Sequence, residues 1–522
     1  MTAPLVGWQR LFLALLSGVL VAIPFLSPAY YWITWVAFAP LLLAIEQVSL
    51  RASYGLGLAS GLIFSIIAGY WITDFLVIAK GYGMAPSMLL ASIFWLFSAQ
   101  ITALIAVALN GLRRWSQRCL SFPVHDFVLF PLVLASAYSV IPMLFPFHPA
   151  NTQSRFLSAL QAIEFTRLYG LDALIALVNI MVYRVLAGRF RHPIPPLNTA
   201  LSVSKVWVPW GLSSFIVMSW FVYGAAVTRA WDQQLATWAT VTVGIVQPNE
   251  APSLARPAIF PGYSLAYPPE MAMTERLAQA GAELVVWPET RYKGYFDQPH
   301  VQNAYADRLA EAGVALLFQD AEQVAHRKTG QTTRRSDQYH SDQYHSDQYN
   351  SAVMIRSDGQ PLAHYRKMKT MPFGESVPLA ETFPILKSAT NGVLAGFNTS
   401  LQRGTEHAAF NLGALTVIPL ICYETLFPSF VQSAVPPQTQ GTVLIGLSNN
   451  GWFGDTVQPY QHMNASILRA VENRLPFVHV MNNGPSVVVL PNGRVLFQSQ
   501  FREAGGYLVD VPYLRPGSKP LE

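Results

Sequence analysis

The sequence predicts a two-part membrane protein: an all-α polytopic transmembrane bundle followed by a water-exposed α/β domain. Only 12% of the 522 residues are charged and 52% are hydrophobic, whereas roughly a quarter are charged in soluble domains. Long apolar runs fill the chain to about residue 228, and short β-type runs alternating with polar helical stretches follow. We therefore expect a bundle over residues 1–228, a linker over 229–238, an α/β domain over 239–515 and a polar tail over 516–522.

Seven apolar runs in the first half approach the ~20 residues that a helix needs to cross the hydrocarbon core of a bilayer. They lie over residues 9–27, 31–47, 56–79, 86–110, 125–147, 169–188 and 206–227. The first run, with Arg10 near its start, resembles a signal peptide when taken alone. Six further spans favour an uncleaved first helix and a multi-pass protein.

Basic residues in short loops predict the orientation of the bundle. Arg113, Arg114 and Arg118 follow the fourth span, and more basic residues precede the last one. Such residues concentrate in cytoplasmic loops, so we expect a cytoplasmic N-terminus. Everything after Thr228 then lies outside the inner membrane, which is the periplasm in a double-membrane bacterium. The net charge of +5 belongs mostly to this cytoplasmic rim, so it does not indicate nucleic-acid binding.

The second half predicts a sheet that is buried on both faces. Its apolar, β-branched runs lie over residues 239–249, 282–289, 313–320, 351–359, 414–424, 441–450, 476–484 and 486–496. Helical stretches between them include Pro269–Gln279 and Tyr460–Asn473. Continuous apolar strands are typical of an α/β domain with covered faces, and the Asp-Gly and Asn-Gly pairs in SDGQ and PNGRV predict hairpin turns.

A tandem repeat, SDQYH-SDQYH-SDQYN, occupies residues 336–350. Its histidines and aspartates suggest a metal site, but their spacing offers no fixed set of ligands. A repeat expansion that lengthens a surface loop is the simpler interpretation. We therefore predict no metal and no chemistry for this segment.

The two cysteines are predicted to lie on opposite sides of the membrane. Cys119 is next to the cytoplasmic basic loop, and Cys422 ends the apolar run LTVIPLIC outside, so they do not pair within the chain. A lone thiol in an oxidising compartment is at chemical risk, which favours a use for it. A buried structural cysteine is the alternative.

Three chemically complementary residues come at or just beyond strand ends. Glu289 ends ELVVWPE, Cys422 ends its strand, and Lys367 follows the hairpin after SAVMI. Strand ends face the ligand crevice in open α/β sheets. There a carboxylate takes a thiol proton and an ammonium stabilises an oxyanion, and a helix opening at TLFPSFVQ would lower the pKa of Cys422. Taken singly, each residue also fits a structural role: a solvated acid, a basic face or a core thiol.

Several segments resemble one known family. VVWPET (285–290), YRKMKTMPFGE (365–375) and ICYE (421–424) are similar to the three catalytic segments of the nitrilase, or carbon–nitrogen hydrolase, superfamily. The order of the two parts resembles, more narrowly, the apolipoprotein N-acyltransferase family. SNNGWFG and the segment after it (448–484), GYWITDFLVIAKGYG (69–83) and FLSALQAIEFTRLYGLDAL (156–174) carry the same resemblance.

The resemblance implies an αββα sandwich with a Glu-Lys-Cys triad. Glu289 would be the general base, Lys367 the cation that stabilises the oxyanion, and Cys422 the nucleophile. Lys367 matches the family's lysine because Pro372 stands five residues further on. Glu375 would orient Lys367.

The resemblance also implies roles around the pocket. Tyr423 and Glu424 would flank the acyl site, and Trp452 and Phe453 would contact lipid or gate its entry. Two features depart from the family: SNNGWFG has Asn-Gly where Asp-Ala is common, and no apolar run follows the α/β domain, where the family has another membrane helix.

The activity that the resemblance implies is a two-step acyl transfer by a monomer without cofactor or metal. Cys422 would take an acyl chain from a phospholipid as a thioester, and the N-terminal amine of a diacylglyceryl-modified apolipoprotein would accept it. The triad alone also permits a membrane-tethered amidase or nitrilase acting on a small amide. A transporter or receptor with a degenerate ectodomain is the non-enzymatic alternative.

Labelling in intact cells tests the predicted orientation. Single cysteines introduced into 111–118 or 184–205, in a chain with Cys119 replaced, should resist a membrane-impermeant maleimide, whereas one at position 400 should react. Labelling of 111–118 from outside would contradict the orientation.

Overall fold

The computed structural model describes residues 5–121, 124–191, 200–252, 261–290, 292–326, 345–372, 374–376 and 401–518. These residues form a helical bundle over the first half of the chain and an α/β domain with two stacked sheets over the second. The predicted fold class, a transmembrane bundle fused to an αββα domain, is therefore confirmed.

The described part of the bundle contains nine α-helices. They are α1 Gly7–Leu26, α2 Ala39–Ala44, α3 Leu50–Ala68, α4 Trp71–Lys80, α5 Met84–Cys119, α6 Asp126–Val140, α7 Leu157–Leu160, α8 Ile163–Arg191 and α9 Ala200–Leu235. Short 3-10 helices cover Pro28–Trp35 and Pro149–Gln153. Five of the described helices are long and apolar enough to cross a bilayer: α1, α3, α5, and the parts Ile163–Gly188 of α8 and Val208–Leu235 of α9.

Three predicted segments differ from the structure. The single span over 56–79 is two helices, α3 and α4, because the carbonyl of Gly69 accepts a hydrogen bond from the Trp95 indole at 2.9 Å at the point where α3 ends. The runs over 31–47 and 125–147 form shorter helical segments, broken near prolines in the first case. The basic stretch 111–118 is not a loop but the end of α5.

Basic residues at the predicted cytoplasmic end also complete helix termini. Nη1 of Arg10 donates to the carbonyls of Ala44 and Glu46 at 2.7 and 2.9 Å, beyond the last turn of α2. Arg113 pairs with Asp126 at 2.7 Å and so joins α5 to the start of α6. The last carbonyls of a helix lack partners within it, so these side chains stabilise the ends that they reach.

Two six-stranded sheets form the α/β domain. Its strands are β1 Ala239–Gln247, β2 Leu284–Val286, β3 Ala315–His326, β4 His345–Ile355, β5 Pro361–Arg366, β6 Phe410–Leu412, β7 Leu415–Ile421, β8 Thr442–Ser448, β9 Phe477–Met481, β10 Val487–Val489, β11 Val495–Gln498 and β12 Gly505–Tyr513. The first sheet has the order β12-β1-β2-β3-β4-β5 and the second β11-β10-β9-β8-β7-β6. In each, three central strands run parallel and hairpins complete the edge.

Helices cover the outer faces of both sheets. α10 Pro269–Gln279 and α11 Pro299–Ala312 lie on the first sheet, and α12 Pro428–Ala434 and α13 Gln458–Asn473 on the second. The inner faces meet in a core of β-branched and aliphatic side chains, such as Val243, Ile245, Val443 and Ile445. The continuous apolar runs of the sequence are explained by this burial on two faces.

The bundle packs directly on the α/β domain. One hydrophobic cluster joins Leu160 and Ile163 of the bundle to Ile467 of α13. Beside it, the guanidinium of Arg474 donates to Glu164 at 2.7 Å and to the side chain and carbonyl of Gln161 at 2.8 Å. The two parts are therefore joined by apolar packing and by one largely buried guanidinium.

Replacing Arg474 with alanine tests how much that guanidinium contributes. The change leaves several buried acceptors without a donor, so we expect it to lower the free energy of unfolding by about 2–4 kcal/mol. Thermal unfolding of the purified chain in detergent, followed by tryptophan fluorescence, measures the change.

Arg494→Ala is the matched control for this prediction. Arg494 also joins the two parts, through Asp232 at 2.7 Å, but half of its side chain is exposed. Exposed pairs contribute less than about 1 kcal/mol. Equal losses of unfolding free energy in Arg474→Ala and Arg494→Ala would contradict the larger contribution assigned to Arg474.

Candidate active site

Strand ends bring the three predicted groups together. Glu289 lies three residues beyond β2, Lys367 directly follows β5, and Cys422 directly follows β7. All three line one pocket between the two sheets' strand ends and the bundle. The sequence therefore predicted their proximity correctly, although their roles stay a proposal.

The ammonium of Lys367 is held between two carboxylates. Its Nζ lies 2.9 Å from Oε1 of Glu375 and 3.4 Å from Oε1 of Glu289, and the side chain is 2% exposed. Asn350 donates from Nδ2 to the same two oxygens, at 3.0 and 2.7 Å. A buried ammonium and a shared amide thus keep two carboxylates close to each other.

The thiol of Cys422 is buried and protonated in this environment. It is 8% exposed and shares the pocket with the Glu289 carboxylate. Burial and the neighbouring carboxylates raise the pKa of Cys422 well above its usual value, although Lys367 opposes them. The prediction that a helix N-terminus lowers this pKa is therefore wrong: Cys422 begins a short 3-10 helix, Cys422–Leu426, and the loss of hydration dominates.

Lys367 stays charged at the same site. Burial alone would lower the pKa of Lys367, but Glu289 and Glu375 more than offset it and raise that pKa. Counting one ammonium and two carboxylates, the group carries a net charge of −1 while the thiol is neutral. This charge adds to the effect of burial, and together they keep the proton on the Cys422 sulfur.

Cys422 itself has a left-handed backbone, with φ of +50°. Such a conformation costs a residue with a side chain about 1–3 kcal/mol and is held by its surroundings. On one side, the Ile421 amide donates to Oε2 of Glu424 at 2.8 Å; on the other, the Thr425 hydroxyl donates to the Cys422 carbonyl at 3.0 Å. The turn aims the sulfur into the pocket from the end of β7.

Glu424 organises the loops rather than lining the pocket. Its Oε1 accepts from the Tyr365 hydroxyl at 2.8 Å and from the Met368 and Lys369 amides at 2.7 and 3.1 Å. It is fully buried and is not among the residues that line the pocket, and its predicted place beside the acyl site stays a prediction. It connects the Lys367 segment to the Cys422 turn.

Tyr423 also points away from the pocket, toward the bundle. Its hydroxyl donates to the carbonyl of Leu144, and its ring packs on Phe145 with centroids 5.7 Å apart. Tyr423 is not one of the residues that line the pocket. Its contacts tie the Cys422 turn to the segment after α6.

The pocket has a volume of about 220 Å³ and one wall that belongs to the bundle. Trp452 and Phe453 line it from a 3-10 helix, Asn450–Phe453, and Phe75 of α4 completes this aromatic wall. Phe453 is buried and stacks on Phe75 with centroids 5.4 Å apart. The two aromatics predicted for the pocket are therefore in its wall, one of them fixed in the bundle's core.

Two asparagines at the site were missed from the sequence. Asn350 is the last residue of the tandem repeat, whose third copy is not a loop but part of β4, and residues 336–344 lie outside the described residues. Asn449 directly follows β8, and its amide donates to Oε2 of Glu289 at 3.2 Å. Asn449 comes at the end of an apolar run, as Glu289 and Cys422 do. The same sequence signal could therefore have identified it as a site residue.

Comparison with known proteins gives two family matches. The family model described as carbon–nitrogen hydrolase matches residues 266–513. That described as apolipoprotein N-acyltransferase N-terminal domain matches residues 17–181.

Similar relatives cover almost the whole chain. The apolipoprotein N-acyltransferase of Geobacter metallireducens is 28% identical over 92% of this chain and 85% of its own length. That of Bdellovibrio bacteriovorus is 25% identical over 96% of this chain and 88% of its own. Among solved structures, an amidase from Nesterenkonia is 17% identical over 52% of this chain and 91% of its own, with a TM-score of 0.36.

The paired sheets, the strand-end groups and the match over the second half define a carbon–nitrogen hydrolase fold. The bundle adds the feature that separates one branch from soluble hydrolases, since its helices match a domain specific to that branch. The chain belongs to the apolipoprotein N-acyltransferase family.

The raised pKa of Cys422 predicts the pH dependence of its alkylation. Only the thiolate reacts readily, so the rate with iodoacetamide should rise with a midpoint above ~8.5, the value for an unperturbed cysteine. Lys367→Met should move the midpoint higher, because the opposing charge is lost. Mass spectrometry of the Cys422 peptide between pH 7 and pH 10 gives the midpoint.

Lys369→Met serves as the control for this measurement. The Lys369 ammonium lies over the Phe427 ring at 4.8 Å, outside the pocket wall. Its loss should leave the midpoint unchanged. A midpoint at or below that of a free cysteine would contradict the described electrostatics.

Proposed function

We propose that this protein transfers a fatty acyl chain from a phospholipid to the N-terminal amine of diacylglyceryl-cysteine in lipoproteins, through a thioester on Cys422. Family membership supports the acyl transfer and the lipoprotein acceptor. The observation that carries the proposal is the pocket itself: a thiol, a carboxylate and an ammonium share it with an aromatic wall to which the membrane bundle contributes Phe75.

In the first half-reaction, the Cys422 sulfur attacks the ester carbonyl carbon of the phospholipid and its proton passes to Glu289. The ammonium of Lys367 stabilises the oxyanion that forms. When this intermediate collapses, the carbon–oxygen bond breaks and Glu289 returns the proton to the leaving oxygen. The products are a thioester and a lysophospholipid.

In the second half-reaction, the acceptor's neutral α-amine attacks the thioester carbon. An α-amine has a pKa of about 8, so a useful fraction is neutral near pH 7. Glu289 takes a proton from the attacking nitrogen, the carbon–sulfur bond breaks, and the proton passes from Glu289 to the sulfur. The amide is released and the thiol is restored.

Glu375 and Asn350 act as positioning residues in this scheme. Glu375 holds the Lys367 ammonium from the side opposite Glu289, and Asn350 fixes one oxygen of each carboxylate. Preorganised groups of this kind need no rearrangement when charge develops in the transition state. Neither residue exchanges a proton with the substrate.

The bundle supplies both proximity and protection from water. Both lipid substrates are anchored in the bilayer, so a pocket at its surface meets them at high effective concentration. A thioester also hydrolyses, and the aromatic wall of Phe75, Trp452 and Phe453 limits the access of water. We propose that Trp452, the more exposed of the two predicted aromatics, moves when lipid enters. The catalytic domain faces the periplasm in this scheme.

The decisive test is formation of the acyl-enzyme without acceptor. Purified protein in detergent, given phospholipid alone, should gain one acyl chain on Cys422 and none on Cys119 by intact-mass and peptide mass spectrometry. Neutral hydroxylamine should remove it, and so should a diacylglyceryl-cysteine peptide, whose amine then carries the chain. Lys367→Ala should slow adduct formation by a factor of ~10²–10³, about 3–4 kcal/mol.

Lys369→Ala is the control and should react at nearly the wild-type rate. An unmodified Cys422 in protein that nevertheless acylates the peptide would overturn the two-step scheme. Release of ammonia from small amides, with no adduct from phospholipid, would favour the amidase alternative.

A further inference from the structure

A fully buried imidazole lies directly behind the nucleophile turn. His462, on α13, is 2% exposed, and its Nε2 lies 2.6 Å from Oγ1 of Thr425 and 3.1 Å from the carbonyl oxygen of Cys422. Its Nδ1 lies 3.0 Å from Oδ1 of Asn450, whose Nδ2 lies 2.9 Å from the Met481 sulfur. None of these contacts is used by the acyl-transfer scheme.

The hydrogen-bond chemistry fixes which ring nitrogen carries the proton. The Thr425 hydroxyl already donates to the Cys422 carbonyl, so both oxygens are acceptors toward Nε2. Nε2 therefore donates. Nδ1 is then an acceptor and needs a donor, which Asn450 provides when its amide is flipped from the orientation with Oδ1 toward the ring, so that Nδ2 faces the ring instead. Burial lowers the pKa of His462 to about 4, so the ring is neutral at physiological pH.

These two nitrogens reach two different parts of the pocket. On the Nε2 side is Cys422, whose left-handed backbone needs outside support. On the Nδ1 side is Asn450, the first residue of the 3-10 helix that carries Trp452 and Phe453. The His462 ring therefore contacts the Cys422 turn on one side and the segment that carries the aromatic wall on the other.

We propose that His462 is a positioning residue that sets the nucleophile turn and the aromatic wall relative to each other, with Nε2 fixing Cys422 and Nδ1 fixing the 450–453 segment. The expected effects on acyl transfer rest on the proposed function, whereas the contacts of His462 do not depend on it. Loss of the Nε2 contact should impair attack by the thiol. Loss of the Nδ1 contact should loosen the wall and admit water to the thioester.

The two contacts can be removed separately. An asparagine side chain ends near the position of Nδ1 and a glutamine side chain near that of Nε2, so His462→Asn keeps the Asn450 contact and His462→Gln keeps the Cys422 contact. The structure also offers a matched control in His479, whose ring lies 4.8 Å from that of His462. His479 is also buried, and among the described residues its ring nitrogens bond to Ser448 and Ser466, each at 2.6 Å.

The experiment measures three quantities on full-length protein in detergent: the rate of Cys422 alkylation by iodoacetamide, the rate of acyl-enzyme formation from phospholipid, and the rate of thioester loss to water. His462→Asn should slow the first two by about tenfold, the effect of one ordinary hydrogen bond, and leave the third near wild type. His462→Gln should leave the first two near wild type and raise the third by about tenfold. His479→Gln should change none beyond about twofold.

Thr425→Val keeps the proposal testable if His462→Asn does not fold, because it removes the hydroxyl at the same carbonyl and should slow alkylation in the same way. Both His462 variants could instead keep wild-type rates and show only a lower unfolding temperature, an effect that loss of packing alone would also give in His479→Gln. That result would contradict the proposal and leave His462 a packing residue. Absence of an acyl adduct in the wild type would instead overturn the proposed function, while the alkylation rates would still decide the role of His462.

Discussion

The site depends on one buried ammonium that two carboxylates share. Glu289 and Glu375 approach the same Lys367 nitrogen, at 3.4 and 2.9 Å, and that nitrogen is the counter-charge of both. Glu289 comes from a different segment from Lys367 and Glu375, so the domain must fold before the two carboxylates meet the ammonium. Glu424 and Asn350 make this arrangement possible by fixing the backbone and side-chain positions of the segments that carry the charges.

The membrane bundle is part of the same arrangement. Phe453 belongs to the bundle's hydrophobic cluster and to the pocket wall at once. Tyr423, next to the thiol, bonds to the Leu144 carbonyl. Geometry at the sulfur is therefore coupled to helix packing in the bilayer, and the two parts of the chain form one active unit rather than a domain on an anchor.

The sequence predicted the two-part fold, nearly all inner strands and the meeting of Glu289, Lys367 and Cys422, because buried strands and strand-end residues leave strong local patterns. Contacts between distant segments leave no such pattern. The break at Gly69 depends on the Trp95 indole, and the role of Glu424 on donors from another loop. The direction of the Cys422 pKa shift was likewise mispredicted, since burial is a property of the assembled fold.

The repeat before β4 has a genetic consequence. β4 begins at His345, the last residue of the second SDQYH copy, so its sequence HSDQYN is the same whether two or three units precede the core of the strand. Loop closure costs only about 0.6 kcal/mol for each doubling in length. Gain or loss of whole five-residue units would therefore change the number of residues between β3 and β4 while Asn350 keeps its neighbours, so the site would tolerate a change in copy number.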